Sequence, residues 1–413
     1  MRLLIISQYF WPENFRINDL AKALVERGHE VTVLTGKPNY PAGTFFSGYG
    51  FFKLREEQRN GVTIKRVPLI PRGDGSGVRL AINYLSFVLS ACLLGPFRCR
   101  GNFDFVFVFE PSPFTVGIPG MLFRWLKKAP MMFWVQDLWP ESLTAAGAVR
   151  NPHILRWLGH MVRIIYHRCD RVLVQSEAFM EPATAAGADP KRTYYFPNWA
   201  EKLYQPLSLP SDAVERGEIP DKFCILFAGN LGEAQSLETI VQAARKVDEH
   251  EKDISWIMIG DGRRLTWMKS EVERLGLEKQ IHFLGRRPME SMPRYFALAD
   301  ALLVTLRPDP IFSRTIPSKV QAYLACGRPI VAALDGEGAR IVRDSAAGIV
   351  VNAGDADALA KAVLALKAMS ADEREQMGQH GRTYFENYFE SEMLISRLEG
   401  WMEEMIEEGL CAS

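Results

Sequence analysis

Net charge is the first thing this sequence lacks: 49 Lys and Arg meet 49 Asp and Glu, for a formal charge of zero. With no arginine-rich helix and no interleaving of basic and aromatic residues, nothing in it argues for a nucleic-acid partner. Cysteine is sparse as well. Six in 413 residues, with no close pairs, supply neither a disulfide framework nor zinc-ligand spacing, and the sequence holds no other metal-binding cluster. Isolated histidines such as His29, His160 and His167 read as structural. These absences point to an intracellular protein with reduced thiols. The apolar run after Met1-Arg2 stops at Gln8-Tyr9-Phe10-Trp11-Pro12, too short for a signal-peptide core and without a small-residue cleavage site. Tandem repeats and low-complexity tracts are missing too.

What remains is globular material, 47% apolar and 24% charged, in a chain too long for one hydrophobic core, so two domains are expected. The charge is unevenly spread. Residues 1–200 hold 24 Lys/Arg against 15 Asp/Glu, and the remainder 25 against 34. Either the basic half meets an anionic surface or substrate, or the two halves attract one another.

Residues 3–7 are continuously apolar, and Leu20, Ala21, Leu24 and Val25 recur at helical spacing within 18–27. Arg27-Gly28-His29 closes that helix with a basic turn and a glycine, before a β-branched strand at 30–35. This strand–helix–strand opening suits a parallel sheet covered on both faces. Further strands are expected at 62–67, 103–109, 131–135 and 171–175. Asn198-Trp199-Ala200 and the Pro- and Ser-containing stretch 206–220 read as a linker. A second alternating set follows: strands at 223–228, 256–260, 281–284, 301–305 and 329–333, with helices at 237–247, 265–275, 289–299 and 318–325. That is again a doubly wound α/β pattern. A last helix spans 391–407.

The stretch 80–97 is unusually apolar and close to the roughly 20 residues that span a bilayer. Asn83, Ser86, Ser90 and the Gly95-Pro96 stop weaken it as a span. Arg79, Arg98 and Arg100 flank it, and Arg124, Lys127 and Lys128 follow the next apolar stretch, 114–126. Two readings fit: helices lying in the headgroup layer with their basic residues on anionic lipid, or buried helices of a large α/β domain.

Three successive strand ends in the second half carry glycine: Ala228-Gly229-Asn230, Gly260-Asp261-Gly262-Arg263-Arg264 and Gly285-Arg286-Arg287. Loops at the carboxyl ends of strands border the ligand crevice of such a sheet. Glycine there allows close approach, and paired arginines neutralise a diphosphate. Pro317-Ser318-Lys319 then opens a helix with Ser318 as its expected cap, free backbone N–H groups for phosphate and Lys319 as a mobile cation. Gly327 ends the helix and Pro329 admits the next strand.

The segment Pro317-Ser318-Lys319…Tyr323-Leu324-Ala325-Cys326-Gly327-Arg328-Pro329 resembles the family-4 retaining glycosyltransferases, and the resemblance runs over residues 1 to roughly 405. Gln8-Tyr9-Phe10-Trp11-Pro12-Glu13 and Trp134-Val135-Gln136-Asp137-Leu138-Trp139-Pro140-Glu141-Ser142 are similar to a bacterial subgroup making O-antigen, capsule and colanic acid sugars. That subgroup includes proteins assigned as L-fucosamine transferases. The resemblance implies a GT-B fold, two Rossmann-like domains facing each other across a cleft. Residues 1–200 would bind the acceptor and face the membrane, 201–385 would bind the nucleotide sugar, and 386–413 would cross back to the first domain. It implies a nucleoside-diphosphate-sugar donor, most often UDP-linked, no metal, and an acceptor glycan on a polyprenyl diphosphate. The site of work would be the cytoplasmic face of the inner membrane, in lipopolysaccharide or exopolysaccharide synthesis.

Most of the family carries two glutamates eight positions apart, the second on the nucleotide ribose; the matching positions here are Arg314 and Ala322. Glu337, in Asp335-Gly336-Glu337-Gly338, is the carboxylate expected to replace it, with Gly336 and Gly338 as backbone donors. In the first domain Asp137 and Glu141 follow a strand, where two carboxylates suit acceptor binding or hydroxyl activation, and Glu110 ends another strand. Gln136 stands where relatives often have a histidine, and Glu13-Asn14 where many have Gly-Gly; Arg16 is a further cation near that turn. A sugar-nucleotide epimerase or a non-catalytic partner subunit would share the architecture. Turnover without an acceptor would mark the first, and absence of nucleotide binding the second.

Overall fold

Buried apolar runs become strands, and in the computed structural model, which describes residues 1–145, 149 and 151–411, they assemble into two sheets. The first contains β1 (Arg2–Ile6), β2 (Glu30–Thr35), β3 (Glu56–Arg59), β4 (Val62–Arg66), β5 (Phe105–Glu110), β6 (Met131–Val135), β7 (Arg171–Val174) and β8 (Thr193–Tyr195). Their spatial order is β3-β4-β2-β1-β5-β6-β7-β8, parallel throughout except for the β3–β4 edge pair. Every residue of β5 and β6 is buried, as expected for strands covered on both faces. Strand β3, Glu-Glu-Gln-Arg, has no apolar signal and went unforeseen; its polar, exposed character suits an edge.

The second sheet holds β9 (Phe223–Ala228), β10 (Ile254–Ile259), β11 (Ile281–Gly285), β12 (Ala301–Thr305), β13 (Ile330–Ala333) and β14 (Gly348–Val351). Their order is β11-β10-β9-β12-β13-β14, all parallel. This is the doubly wound Rossmann arrangement, and its direction of winding reverses between β9 and β12; in the first sheet it reverses between β1 and β5. Those reversals open crevices at the strands' carboxyl ends, which fixes where each sheet can hold a ligand.

The chain divides into one unit of Met1–Pro197 with Ile395–Ser413 and another of Asn198–Leu394. Residue 386, where the sequence placed the start of the crossing segment, lies inside helix Ala371–Tyr388. The return to the first unit comes at Ile395, within helix Ser391–Cys411. In that unit Glu399 accepts hydrogen bonds from Arg27 and pairs with His29 at 2.7 Å, and Glu404 pairs with Arg171 at 2.9 Å. His29 is thus structural, as the sequence suggested.

Helix Gly77–Arg98, which holds the apolar stretch, is buried along one face only. Asn83, Phe87, Ala91 and Gly95, spaced by four, face inward. A Cβ on Gly95 would lie 3.0–3.1 Å from Leu34 and Phe123, so the helix sits tightly on β2 and on helix Gly117–Lys127. On its other side Val78, Leu85, Leu89, Leu93 and Phe97 are 60–73% exposed. Among the described residues it is the one helix long and apolar enough to cross a membrane by length and composition.

Candidate active site

At the reversal in the second sheet stands Lys319. Its Nζ donates to Gln235 Oε1 and lies 3.8 Å from the centre of the Phe227 ring, and among the described residues no carboxylate pairs with it. Burial alone drives the ammonium down to about 7. Gly229 makes room for it. The residue has φ +140°, and a Cβ there would lie 2.7 Å from Lys319 Cε. The loops after β9 and β10 are stacked backbone to backbone. A Cβ on Gly260 would meet the Gly229 carbonyl at 1.9 Å, one on Gly262 the Leu231 carbonyl at 2.3 Å, and Leu231 N–H donates to Asp261 O at 2.8 Å. Asn230 projects from this wall, exposed. A cavity of about 230 Å³ lined by Gln235, Thr305, Thr315, Ser318 and Lys319 adjoins it.

Helix Ser318–Ala325 does not use Ser318 as its cap. Pro317, extended at ψ 130°, holds that position, and Ser318 is the exposed first helical residue. Proline offers no side-chain acceptor, so no side chain caps this helix start, where Val320 N–H already donates to Pro317 O at 2.9 Å. A helix start without a side-chain cap, carrying a half-buried ammonium in its first turn, suits an anion.

The paired arginines divide their work. Arg264 is held by Glu233 and Glu238 and stacks on Trp267, and Arg287 is held by Glu218 and Tyr295. Arg263 and Arg286 are the exposed members. Residues 336–338 are not a loop but the closely packed first turn of helix Gly336–Asp344. A Cβ on Gly336 would meet Ser313 O at 1.9 Å, in helix Pro310–Arg314, which ends in the half-buried Arg314, and one on Gly338 the Pro317 ring at 2.9 Å, just before helix Ser318–Ala325. Glu337 is buried and already bonded to Arg340 at 2.6 and 3.3 Å. It reaches a ligand only by exchanging that partner.

In the first unit Asp137 feels the charge of the expected Glu141, and a further carboxyl, Glu110, also adjoins it. Glu110 ends β5 fully buried; its Oε2 accepts from Asp137 N–H at 3.4 Å and its Oε1 has no partner among the described residues. Burial, then the Asp137 charge, pushes the Glu110 carboxyl well above its ordinary value. Burial also lifts Asp137 to about 6, with the nearby polar groups of Ser142, Leu138 and Trp139 pulling the other way. One carboxyl holding a proton next to one that releases it near neutrality is the usual result of such crowding. Glu141 sits on the exposed rim, first in helix Glu141–Ala145.

Sequence reasoning missed the polar groups around this pair. Tyr84, from the helix whose other face is open, lies beside Tyr9 after β1 and Ser112 after β5 and feels the Asp137 charge. Arg72 approaches Tyr9 Oη at 3.4 Å. A tyrosine inside an apolar run carries no periodic signal of such a role. Glu13, by contrast, is consumed by the fold: it accepts from the N–H groups of Asn39 at 2.8 Å, Tyr40 at 2.7 Å and Phe10 at 3.3 Å. Arg16 pairs with Asp19 at 3.1 Å.

Two families match this chain, the glycosyl transferase 4-like domain over residues 14–199 and the glycosyl transferases group 1 over residues 222–368. The chain belongs to these glycosyltransferases. Among curated relatives, the glycosyltransferase is 25% identical over 339 residues to the colanic acid biosynthesis glycosyl transferase WcaI of Escherichia coli K12, covering 79% of this chain and 82% of that one. It is 27% identical over 149 residues to the amylovoran biosynthesis glycosyltransferase AmsK of Erwinia amylovora, 36% of this chain and 37% of that one. A GDP-mannose-dependent mannosyltransferase of Mycolicibacterium smegmatis is 26% identical over 156 residues, 36% of this chain and 40% of that one. Solved structures of the same fold include sucrose-phosphate synthase from Thermosynechococcus elongatus, at TM-score 0.72, 17% identity and full coverage of both chains. Another is Anabaena HepE with UDP and glucose, at TM-score 0.67 and 18% identity, covering 98% of this chain and all of that one. The fold is GT-B, as the motif resemblance implied.

Proposed function

We propose that this glycosyltransferase moves a sugar, with retention of configuration, from a UDP-linked donor to a lipid-linked saccharide in the synthesis of a bacterial surface polysaccharide. The donor sugar is of the UDP-N-acetyl-L-fucosamine kind. The observation that carries the reading is Lys319: a half-buried ammonium with no carboxylate partner among the described residues, at a helix start without a side-chain cap and at a sheet reversal. A diphosphate supplies the missing charge. Arg263 and Arg286 extend the same positive surface from neighbouring strand ends, and Glu337 meets the ribose after leaving Arg340.

The acceptor lies in the first unit against Asp137 and Glu110, where Tyr84 and Arg72 orient it. Attack on the face the diphosphate leaves lets that departing anion accept the hydroxyl proton. Asp137 therefore positions the acceptor and stabilises positive character at the anomeric carbon, with the protonated Glu110 behind it, and no strong base is needed. The exposed apolar face of helix Gly77–Arg98, with Trp125 and Trp157 on neighbouring helices, supports a peripheral location at the cytoplasmic face of the inner membrane. WcaI and AmsK, named for colanic acid and amylovoran synthesis, support the polysaccharide assignment.

The test is a ligand-observed NMR and thermal-shift screen of UDP-, GDP- and dTDP-sugars against the wild type and Lys319→Ala. UDP-sugar binding that disappears in the variant is expected. Absence of binding by any nucleotide sugar would overturn the enzyme reading in favour of a non-catalytic partner, which the missing glutamates at 314 and 322 would then explain.

A further inference from the structure

At the foot of the first sheet, where β1, β2 and β4 begin and helix Gly77–Arg98 ends, lies a cavity of about 560 Å³ that the transfer reaction does not use. It is within the range of small-ligand pockets and strongly basic. Arg2 pairs with Glu30 at 3.1 Å and Lys65 with Glu56 at 2.5 Å, so those charges are offset. Arg55, Arg98 and Arg100 are the surplus. Arg98 is the unusual one: its Nη1 is buried and has no hydrogen-bond partner among the described residues. It does not cap its own helix either; the Phe97 carbonyl there accepts from Arg100 Nε at 3.0 Å.

A buried guanidinium N–H with no acceptor is costly unless something fills the place. Burial and the like charge of Arg55 depress the Arg98 guanidinium from its ordinary value, which is the condition an anion relieves. A second basic cavity, at the feet of β6–β8, offers no such vacancy, since Arg124 is held by Asp170 and Arg171 by Glu404. The rim decides the class of anion. Phe97, 70% exposed, borders the Arg98 cavity and continues the apolar stripe of the helix through Leu93, Leu89 and Leu85. Phosphate below and hydrocarbon alongside is the chemistry of a phospholipid at its headgroup.

We infer that this cavity binds the phosphodiester of an anionic glycerophospholipid, with Arg98 and Arg55 as its ligands, and so fixes the helix in the headgroup layer. The inference rests on the membrane-facing reading above but asks more of it, a specific headgroup site in place of diffuse attraction.

Diffuse attraction counts charge only. Removing one cation weakens binding to anionic membranes about fivefold, and exchanging Arg for Lys changes nothing. A fork-shaped site loses its geometry in Arg98→Lys. The full-length protein, wild type, Arg98→Lys, Arg98→Gln and Arg156→Gln (an exposed arginine outside the cavity), is to be sedimented with phosphatidylcholine vesicles with and without phosphatidylglycerol. It is also to be titrated calorimetrically with inorganic phosphate. The expected result is a loss on phosphatidylglycerol vesicles of about tenfold or more for both Arg98 variants, exceeding that of Arg156→Gln, with unchanged melting temperatures and unchanged UDP-sugar binding. Arg98→Lys binding like the wild type would overturn the site while leaving membrane attachment intact. Wild type that ignores vesicles but binds inorganic phosphate through Arg98 would overturn the lipid assignment and the membrane reading together. Silence in both assays would overturn the site outright.

Discussion

Lys319 titrates where donor binding is measured, so its role has a pH signature. At about 7, its free ammonium is roughly 90% protonated at pH 6 and roughly 10% at pH 8. A diphosphate bound beside it restores the charged form, because the opposite charge replaces the solvation that burial removed. If only the ammonium form binds, affinity for a UDP-sugar falls about tenfold from pH 6 to pH 8, and binding at pH 8 takes up about 0.9 proton. Both phosphates of a sugar nucleotide are diesters, so the ligand does not titrate in this window. Calorimetry in two buffers of different ionisation enthalpy reads the proton uptake directly. Lys319→Met abolishes both effects, and the loss does not come from unfolding. The folded value lies below the unfolded value of 10.5, so the charged lysine destabilises the fold fully below pH 7, and the penalty fades as pH climbs toward 10.5. At about 1.4 kcal/mol per unit, that penalty is on the order of several kcal/mol, so the methionine variant is the more stable protein at pH 6. Binding that is independent of pH and takes up no proton would refute the assignment of Lys319 to the diphosphate.

Gly229→Ala places a Cβ 2.7 Å from Lys319 Cε at φ +140°, so it costs about 1–3 kcal/mol in urea unfolding, and less on a Lys319→Ala background, where the clash is gone. Glu110→Gln removes a carboxyl that the fold keeps protonated. Wild-type stability declines as pH rises from the ordinary carboxylate value through the raised one, so the variant's advantage grows by up to about 1.4 kcal/mol per unit, and urea melts running parallel at pH 5 and pH 9 would contradict this. Arg263→Gln lowers UDP-sugar affinity about tenfold. Arg264→Gln, whose guanidinium is occupied by Glu233 and Glu238, leaves affinity alone and costs less than about 1 kcal/mol of stability. Glu337→Gln narrows the preference for UDP over dUDP by a factor of about ten; an equal loss for both nucleotides would make its bond to Arg340 purely structural.

The sheets were largely legible because their strands are continuous apolar runs: 30–35, 131–135, 223–228 and 301–305 coincide with β2, β6, β9 and β12. Strand β3 was not, because an exposed edge needs no apolar residue, and β8 and β14, of three and four residues, are too short to show a period. Helix 289–299 begins as a 3₁₀ turn, Met289–Ser291, before Met292–Leu298, a distinction that Pro293 in the first turn conceals in the sequence. Sites were legible as places more than as partners. Glycine does stand at the three strand ends, with backbone packed on backbone at Gly229 and Gly260. Which arginine was already paired, that the buried Glu110 adjoins Asp137, and that Tyr84 reaches that pair are all consequences of contacts between segments far apart in the chain.

The absent glutamates become intelligible on the same ground. Position 322 is a buried alanine in a helix whose next residue, Tyr323, has its hydroxyl engaged by the N–H of Ala228 at the end of β9, and Gln321 is held by the carbonyl of Asn198. The helix start is therefore fixed against the sheet by neutral side chains, with one uncompensated charge, Lys319, between them. A glutamate at 322, one turn further along the same helix, would put a negative charge on the Lys319 side of it and lessen the ammonium's need for a phosphate. With arginine and alanine there instead, the site depends more heavily on the donor's own diphosphate for neutrality. Discrimination among nucleotides then falls to groups away from the lysine, with Glu337 the carboxylate positioned for it once Arg340 lets go.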